Sequence, residues 1–185
     1  APPGVAVFAF DFSLPMLRFA GRKSSRGRFG RLCAALPRLP FSDATFDLAA
    51  ISFATRNLNR DRAALLDAFR ELKRVLTPGG LLLHLETSQP PNGVLRSLFH
   101  LYVRTAVKPV GRMISGSPEG YAYLSRTIPR FYDADVLDAL LKEAGFRDID
   151  WKRCCFGVAA VHAARADGAA GASRSRVTSP PRGAG

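Results

Sequence analysis

Two short apolar runs, Phe46 to Phe53 and Leu81 to Leu85, bracket an amphipathic stretch, and the chain is organised around this triplet. Neither run has a helical period and both are too short for helices, so both read as strands buried on two faces, as in a parallel sheet. Between them, from Asp61 to Leu76, the residues Leu65, Ala68, Phe69, Leu72, Val75 and Leu76 recur at the spacing of one helix face. Asp61 is the expected N-cap, and Pro78-Gly79 the expected stop. The unit is a strand, a crossover helix and a second strand. Ligands of such sheets bind beyond the carboxyl ends of the strands, and Arg56, Asn57 and Glu86 stand at those ends.

The flanking pattern extends the same architecture. Val5 to Phe10 is a strand candidate ending at Asp11, followed by a short helix from Leu14 to Arg22. A basic, Ser/Gly-rich connection from Gly21 to Gly30 leads to a brief strand at Phe29 to Leu32. Asp11 has two compatible readings: a carboxylate past a strand end that takes ribose hydroxyls, or a cap for the next helix. Beyond Glu86 a loop leads to a helix from Val94 to Lys108. Leu95, Leu98, Phe99, Tyr102 and Ala106 share one of its faces, and Arg96, His100, Arg104 and Lys108 lie roughly opposite. The favoured reading packs this helix on the sheet with its basic face solvated; the other lays it on an anionic membrane surface. Asp133 caps a further helix that Gly145 stops. Phe146 to Phe156 and Val158 to Ala163 then read as two strands, antiparallel because their link is too short for a crossover.

Composition changes the picture in one respect. With 185 residues, 47% hydrophobic and 23% charged, the chain has the make-up of one ordinary globular domain. No apolar run approaches the ~20 residues that span a bilayer, and the start shows no signal-peptide pattern. Cys33, Cys154 and Cys155 make neither a disulfide framework nor a metal pattern, which fits a reducing cytoplasm; they read as small buried residues or bystanders. The net charge of +12 is the outlier, and between Phe12 and Phe41 there are seven cations and no carboxylate. Such a surface attracts nucleic acid, anionic lipid or an anionic cofactor, or simply keeps the protein soluble. No nucleic-acid motif accompanies it, and aromatic residues do not interleave with the cations. Residues 166–185, rich in Ala, Gly, Ser, Arg and Pro, read as a disordered tail behind a domain at 1–165.

Five runs carry a resemblance. Asp11-Phe12-Ser13-Leu14-Pro15-Met16-Leu17 resembles the post-strand motif of class I S-adenosylmethionine-dependent methyltransferases. Ile51-Ser52-Phe53-Ala54-Thr55-Arg56-Asn57-Leu58, with Arg70 to Gly80, is similar to the narrower group of quinone C-methyltransferases of the UbiE/Coq5 type. Tyr121 to Ile128 and Gly157 to His162 resemble a second signature and the closing strand of that group. The first motif and the Pro78-Gly79-Gly80 turn occur in many methyltransferases, whereas the runs Ser52 to Asn57 and Tyr121 to Ile128 are specific.

The resemblance implies a Rossmann-like sheet with helices on both faces and a C-terminal antiparallel pair. It implies methyl transfer from S-adenosylmethionine to a ring carbon of a polyprenyl hydroquinone, with demethylmenaquinol as the first candidate. Carried over by position, Asp11 would hold the ribose, Ala35 and Leu36 would sit beside the adenine, Ser52 would line the donor pocket, and Arg56 and Asn57 would face the reacting centre. Arginine keeps its proton, so Arg56 is read as an electrostatic partner of the hydroquinone oxyanion and Asn57 as its orienter, with no metal involved. The acceptor's tail implies transient contact of Val94 to Lys108 with the inner face of the membrane. Two departures are visible. The family's first strand and glycine-rich loop have no match, which reads as an N-terminally truncated sheet in which Val5–Phe10 and Phe46–Phe53 lack a neighbour. Ala35 stands where the family usually carries Asp or Asn. A non-catalytic relative acting as a partner in quinone biosynthesis is therefore the second reading, and oligomeric state is left open.

Overall fold

The computed structural model describes residues 5–23, 29–59, 61–106, 125 and 127–167. Most of the tail at 166–185, residues 107 and 108 of the expected basic helix, and most of the Tyr121 to Ile128 run lie outside these residues.

Strand β1 (Phe8–Asp11) leads through helix α1 (Leu14–Lys23) to β2 (Gly30–Cys33), which pairs with it in parallel. Strand β3 (Phe46–Ser52) is followed by the short helix α2 (Thr55–Leu58), then α3 (Arg62–Val75) and β4 (Leu76–Thr87). Helix α4 (Gly93–Thr105), helix α5 (Ala134–Glu143) and the strands β5 (Phe146–Cys154) and β6 (Ala159–Ala166) complete the chain. β3 and β4 pair in parallel, and β6 is antiparallel to both β4 and β5, giving the order β3-β4-β6-β5. The α/β unit and the C-terminal antiparallel pair are thus as the sequence pattern indicates. β1 and β3 each pair on one side only among the described residues, so both expose a strand edge.

The core explains the periodicities. Leu65, Phe69, Leu72 and Val75 of α3 and Leu137, Leu140 and Leu141 of α5 are buried against Leu82, Ala164 and Ala166 of the sheet. Asp61 caps α3 by accepting the Ala64 amide at 2.8 Å, and Asp133 caps α5 by accepting the Val136 amide at 3.0 Å. In β4 the residues Leu82, His84 and Glu86 are fully buried whereas Leu83 is 36% exposed, and in β3 Leu48 is 51% exposed. β4 is therefore fully buried on one face, not two, and β3 is only half-buried at Phe46, Ala49 and Ile51. Their apolar residues outnumber the core positions that a strand alternating between two faces can offer.

Two boundaries move, and the thiols lie elsewhere than expected. Thr77–Gly80 does not end the chain segment before β4; it loops out within the strand. Phe46 pairs with Leu76 and Leu48 with Leu81, and Gly79 takes the left-handed φ of +78° that the loop requires. Ala166 belongs to β6, and Asp167 is ion-paired with Lys73 at 2.9 Å and Arg147 at 2.8 Å, so the closing strand runs past its expected end at Ala163. Cys33 and Cys155 are exposed and Cys154 half-buried, so the thiols are surface bystanders, not core residues.

Helix α4 departs most. Asn92 caps it by accepting the Val94 and Leu95 amides. Val103 is buried, Arg96 and His100 are half-buried, and Val94, Leu98, Leu101 and Tyr102 are 56–73% exposed. The expected solvated basic face is instead turned partly inward, and an apolar stripe looks out. Two polar bonds cause this: Arg96 Nε donates to the Pro90 carbonyl at 2.8 Å, and His100 Nε2 donates to Gln89 Oε1 at 2.7 Å. The Gln89 amide is itself fixed, because its Nε2 donates to the Ile128 and Phe131 carbonyls.

Candidate active site

Residues at the carboxyl ends of β1 and β3 border an open cavity of about 390 Å3. Asp11, the last residue of β1, stands on one wall; its backbone carbonyl accepts the Ala34 amide at 3.2 Å and its Oδ1 accepts the Ser13 amide at 2.8 Å. That second bond fixes the turn before α1, but it is Ser13, whose carbonyl accepts the Leu17 amide and whose Oγ faces the Met16 amide at 3.5 Å, that stands at the cap, not Asp11, whose carboxylate lines the cavity. Ala35 and Leu36, just past β2, form the adjoining wall. Opposite them Ser52 ends β3, and Asn57 follows from α2. Phe10, Ile51 and Leu58 make the remaining surface largely apolar. Below the cavity, Phe8, Phe41 and Phe46 meet edge to face with centroids 4.8–6.0 Å apart.

Five of the six site residues read from the sequence, Asp11, Ala35, Leu36, Ser52 and Asn57, therefore surround one space. Arg56 does not line it. Its side chain is 7% exposed and points to the end of β4, where Nη1 lies 3.5 Å from Glu86 Oε1 and donates to Thr87 Oγ1 at 3.2 Å. Asn57 and Leu58 turn to the cavity, whereas Arg56 is drawn the other way by its bonds to Glu86 and Thr87.

Behind Arg56 lies a buried polar network that the sequence does not announce. Thr55 Oγ1 donates to Glu86 Oε2 at 2.8 Å and accepts from His84 Nε2 at 2.9 Å. His84 pairs across the sheet with His162, whose Nε2 donates to the Ala134 carbonyl at 3.0 Å. Burial, reinforced by His162, pushes the His84 pKa down to about 3, and burial also lowers that of His162. Both rings are neutral and each donates from Nε2. The signal available beforehand was Glu86 itself: a carboxylate at the end of a buried apolar strand must find donors.

A second cluster steadies the floor of the site. Arg74, at the end of α3, binds Glu71, Asp43 and the Phe41 and Leu39 carbonyls, tying the segment before β3 to the helix. Arg74 holds the Glu71 carboxyl below its usual range.

Comparison with known proteins bears on family and fold. A model of the ubiE/COQ5 methyltransferase family matches residues 3–166. The chain is 36% identical over 167 residues to the ubiquinone/menaquinone biosynthesis C-methyltransferase UbiE of Dinoroseobacter shibae, covering 88% of this chain and 64% of that protein. It is 37% identical over 161 residues to the demethylmenaquinone methyltransferase of Streptomyces griseus, covering 87% and 67%. The chain thus spans about two thirds of the length of these relatives. Among solved structures, an S-adenosylmethionine-dependent methyltransferase from Methanosarcina mazei superposes with a TM-score of 0.62 at 20% identity, over 90% of this chain and 84% of that one. That likeness is one of fold.

Proposed function

The chain belongs to the ubiE/COQ5 methyltransferase family, and from that premise we propose that it serves methyl transfer from S-adenosylmethionine to a ring carbon of a polyprenyl hydroquinone, demethylmenaquinol first among them. The observation that supports this reading is the convergence of Asp11, Ala35, Leu36, Ser52 and Asn57 on one cavity. The residues present fit the donor: a carboxylate at a strand end beside apolar walls, in a space within the ~300–1,000 Å3 range of small-molecule sites.

S-adenosylmethionine, when bound, supplies a methyl group already activated as a sulfonium. The protein then has to orient the acceptor and favour the charge on its oxygen. Asp11 takes the ribose hydroxyls, and Ala35 and Leu36 flank the adenine with backbone and apolar contacts. Ser52 lines the donor pocket. The Asn57 amide orients the hydroquinone oxygen, holding the ring carbon in line. Arg56, buried one residue away and paired with Glu86, directs a guanidinium dipole rather than a free charge behind it. The acceptor's tail is membrane-borne, and the outward apolar stripe of α4 supports transient contact with the inner face of the membrane.

Calorimetry with S-adenosylmethionine tests the donor half, on this chain and on one carrying the further length of its relatives. Binding that Asp11→Asn weakens ~10- to 100-fold is expected, since hydrogen bonds to a charged group contribute about 1.5–3 kcal/mol. Methylation of demethylmenaquinol that Asn57→Ala slows ~100-fold with little change in donor affinity is the expected result for the acceptor half. Donor binding by neither form removes the enzyme reading. Binding without methylation favours the non-catalytic partner.

A further inference from the structure

Helix α2 is too short to stand on its own. It has four residues, Thr55–Leu58, and Ala54 at its N-cap offers no side-chain bond. Phe53, just before it, holds a left-handed φ of 51°. Isolated helices of this length do not persist in water, and the first amides of any helix need acceptors. Yet α2 carries Asn57 to the cavity wall and Arg56 behind it.

What holds it comes from β4. Glu86 is fully buried. Its Oε2 accepts the Arg56 backbone amide at 3.2 Å and the Thr55 hydroxyl at 2.8 Å. Its Oε1 accepts the Thr87 amide at 2.8 Å and the Thr87 hydroxyl at 3.1 Å, and pairs with Arg56 Nη1 at 3.5 Å. One carboxylate therefore supplies the missing cap of α2 from a neighbouring strand and anchors the guanidinium of the same residue. An acid at a helix N-terminus is also the favourable sign for the helix dipole. Arg56 Nε remains buried with no hydrogen-bond partner.

We propose that Glu86 is a positioning residue for the methyl transfer inferred above: its carboxylate caps α2 from outside, which sets Asn57 at the cavity wall and holds Arg56 with one N–H unspent. Glu86 does not line the cavity and acts only through α2. Thr55 is its accessory, turning the hydroxyl toward Glu86 because its own oxygen is occupied by the His84 Nε2 proton. This assignment rests on the proposed function for its kinetic consequence but not for its structural one.

Two readouts separate them. In Glu86→Gln, amide hydrogen exchange at Arg56 and Asn57 should quicken at least ~10-fold while the amides of β6 keep their protection; this needs no turnover. In the methylation assay the same variant should lose kcat ~100-fold with donor affinity changed less than ~3-fold. In an Arg56→Met, Asn57→Ala background, adding Glu86→Gln should cost no further kcat, because non-additivity marks groups that act as one unit. Glu86→Asp, which keeps the charge, should recover part of both effects. Unchanged exchange at Arg56 and Asn57, or an exchange increase spread equally over β6, overturns the proposal. So does a kcat loss that multiplies undiminished in that background. Should Glu86→Gln fail to fold, Thr55→Val carries the same exchange test, with local loosening of α2 supporting the proposal and none refuting it. Absence of methylation by the unmodified protein would remove the proposed function and leave the exchange result standing.

Discussion

At the scale of single residues, neighbours in sequence are sorted into different jobs by direction alone. Asn57 reaches the cavity and Arg56, one position earlier, is drawn into the ion pair with Glu86. Isolated buried ion pairs are costly to break because the survivor is left without solvent. His84 is a second residue whose setting decides its chemistry. Unfolded, it takes up a proton near pH 6.5; folded, it stays neutral to about pH 3. The unfolded chain thus binds more protons in that window, and stability falls as the pH drops from 6.5 toward 3. The loss attributable to His84 reaches at most roughly 4 kcal/mol by pH 3, counting 1.36 kcal/mol per pH unit. Urea unfolding at stepped pH should show this slope, and His84→Gln should flatten it between pH 6.5 and 4.

At the scale of elements, α3 and α5 were legible from periodicity and caps because each buries one stripe against a sheet. α4 was not. Its apolar residues fill an arc of roughly half the helix, wider than one contact can bury, so the pattern leaves open which part turns inward, and the choice passes to the Arg96 and His100 bonds with the loop at 89–90. That loop is pinned in turn by the β5–β6 hairpin. Ser88 donates its amide to the Val158 carbonyl at 2.8 Å, and Gly157, at a φ of +93°, packs so tightly on Pro90 and Pro91 that any Cβ would come within 3.0 Å of them. The stripe left outside, Val94, Leu98, Leu101 and Tyr102, is the side proposed to meet lipid. From Ser88 to Pro118 the chain carries four cations and no carboxylate, which suits an anionic surface. The protein should float with phosphatidylglycerol-containing liposomes, and Leu98→Glu with Leu101→Glu should abolish flotation while leaving donor binding intact. Equal flotation of the double variant would remove α4 from the contact.

At the scale of the whole molecule, the two sheets are unequal. The four-stranded sheet is backed by the α3 and α5 core, whereas β1 and β2 form a two-stranded pair of four residues each. Isolated two-stranded sheets are marginal in water, so the Asp11 side of the cavity should be the softer side. Amide exchange should be slowest in β4 and β6 and faster by orders of magnitude in β1 and β2. Added S-adenosylmethionine should slow β1 selectively if Asp11 grips the donor.

The linear pattern was enough to establish the β3–α3–β4 unit, the capped α5 and the antiparallel closing pair, which follow from local periodicity and caps. The five residues that line the cavity were indicated by the family resemblance, not by the pattern. What only the fold could decide was where consecutive side chains point, which face of α4 looks outward, and that Glu86 holds α2 from another strand. Each of these depends on contacts between residues some thirty positions apart or on competition between two nearly equal faces, and no local pattern in a sequence carries the energy of such a contact.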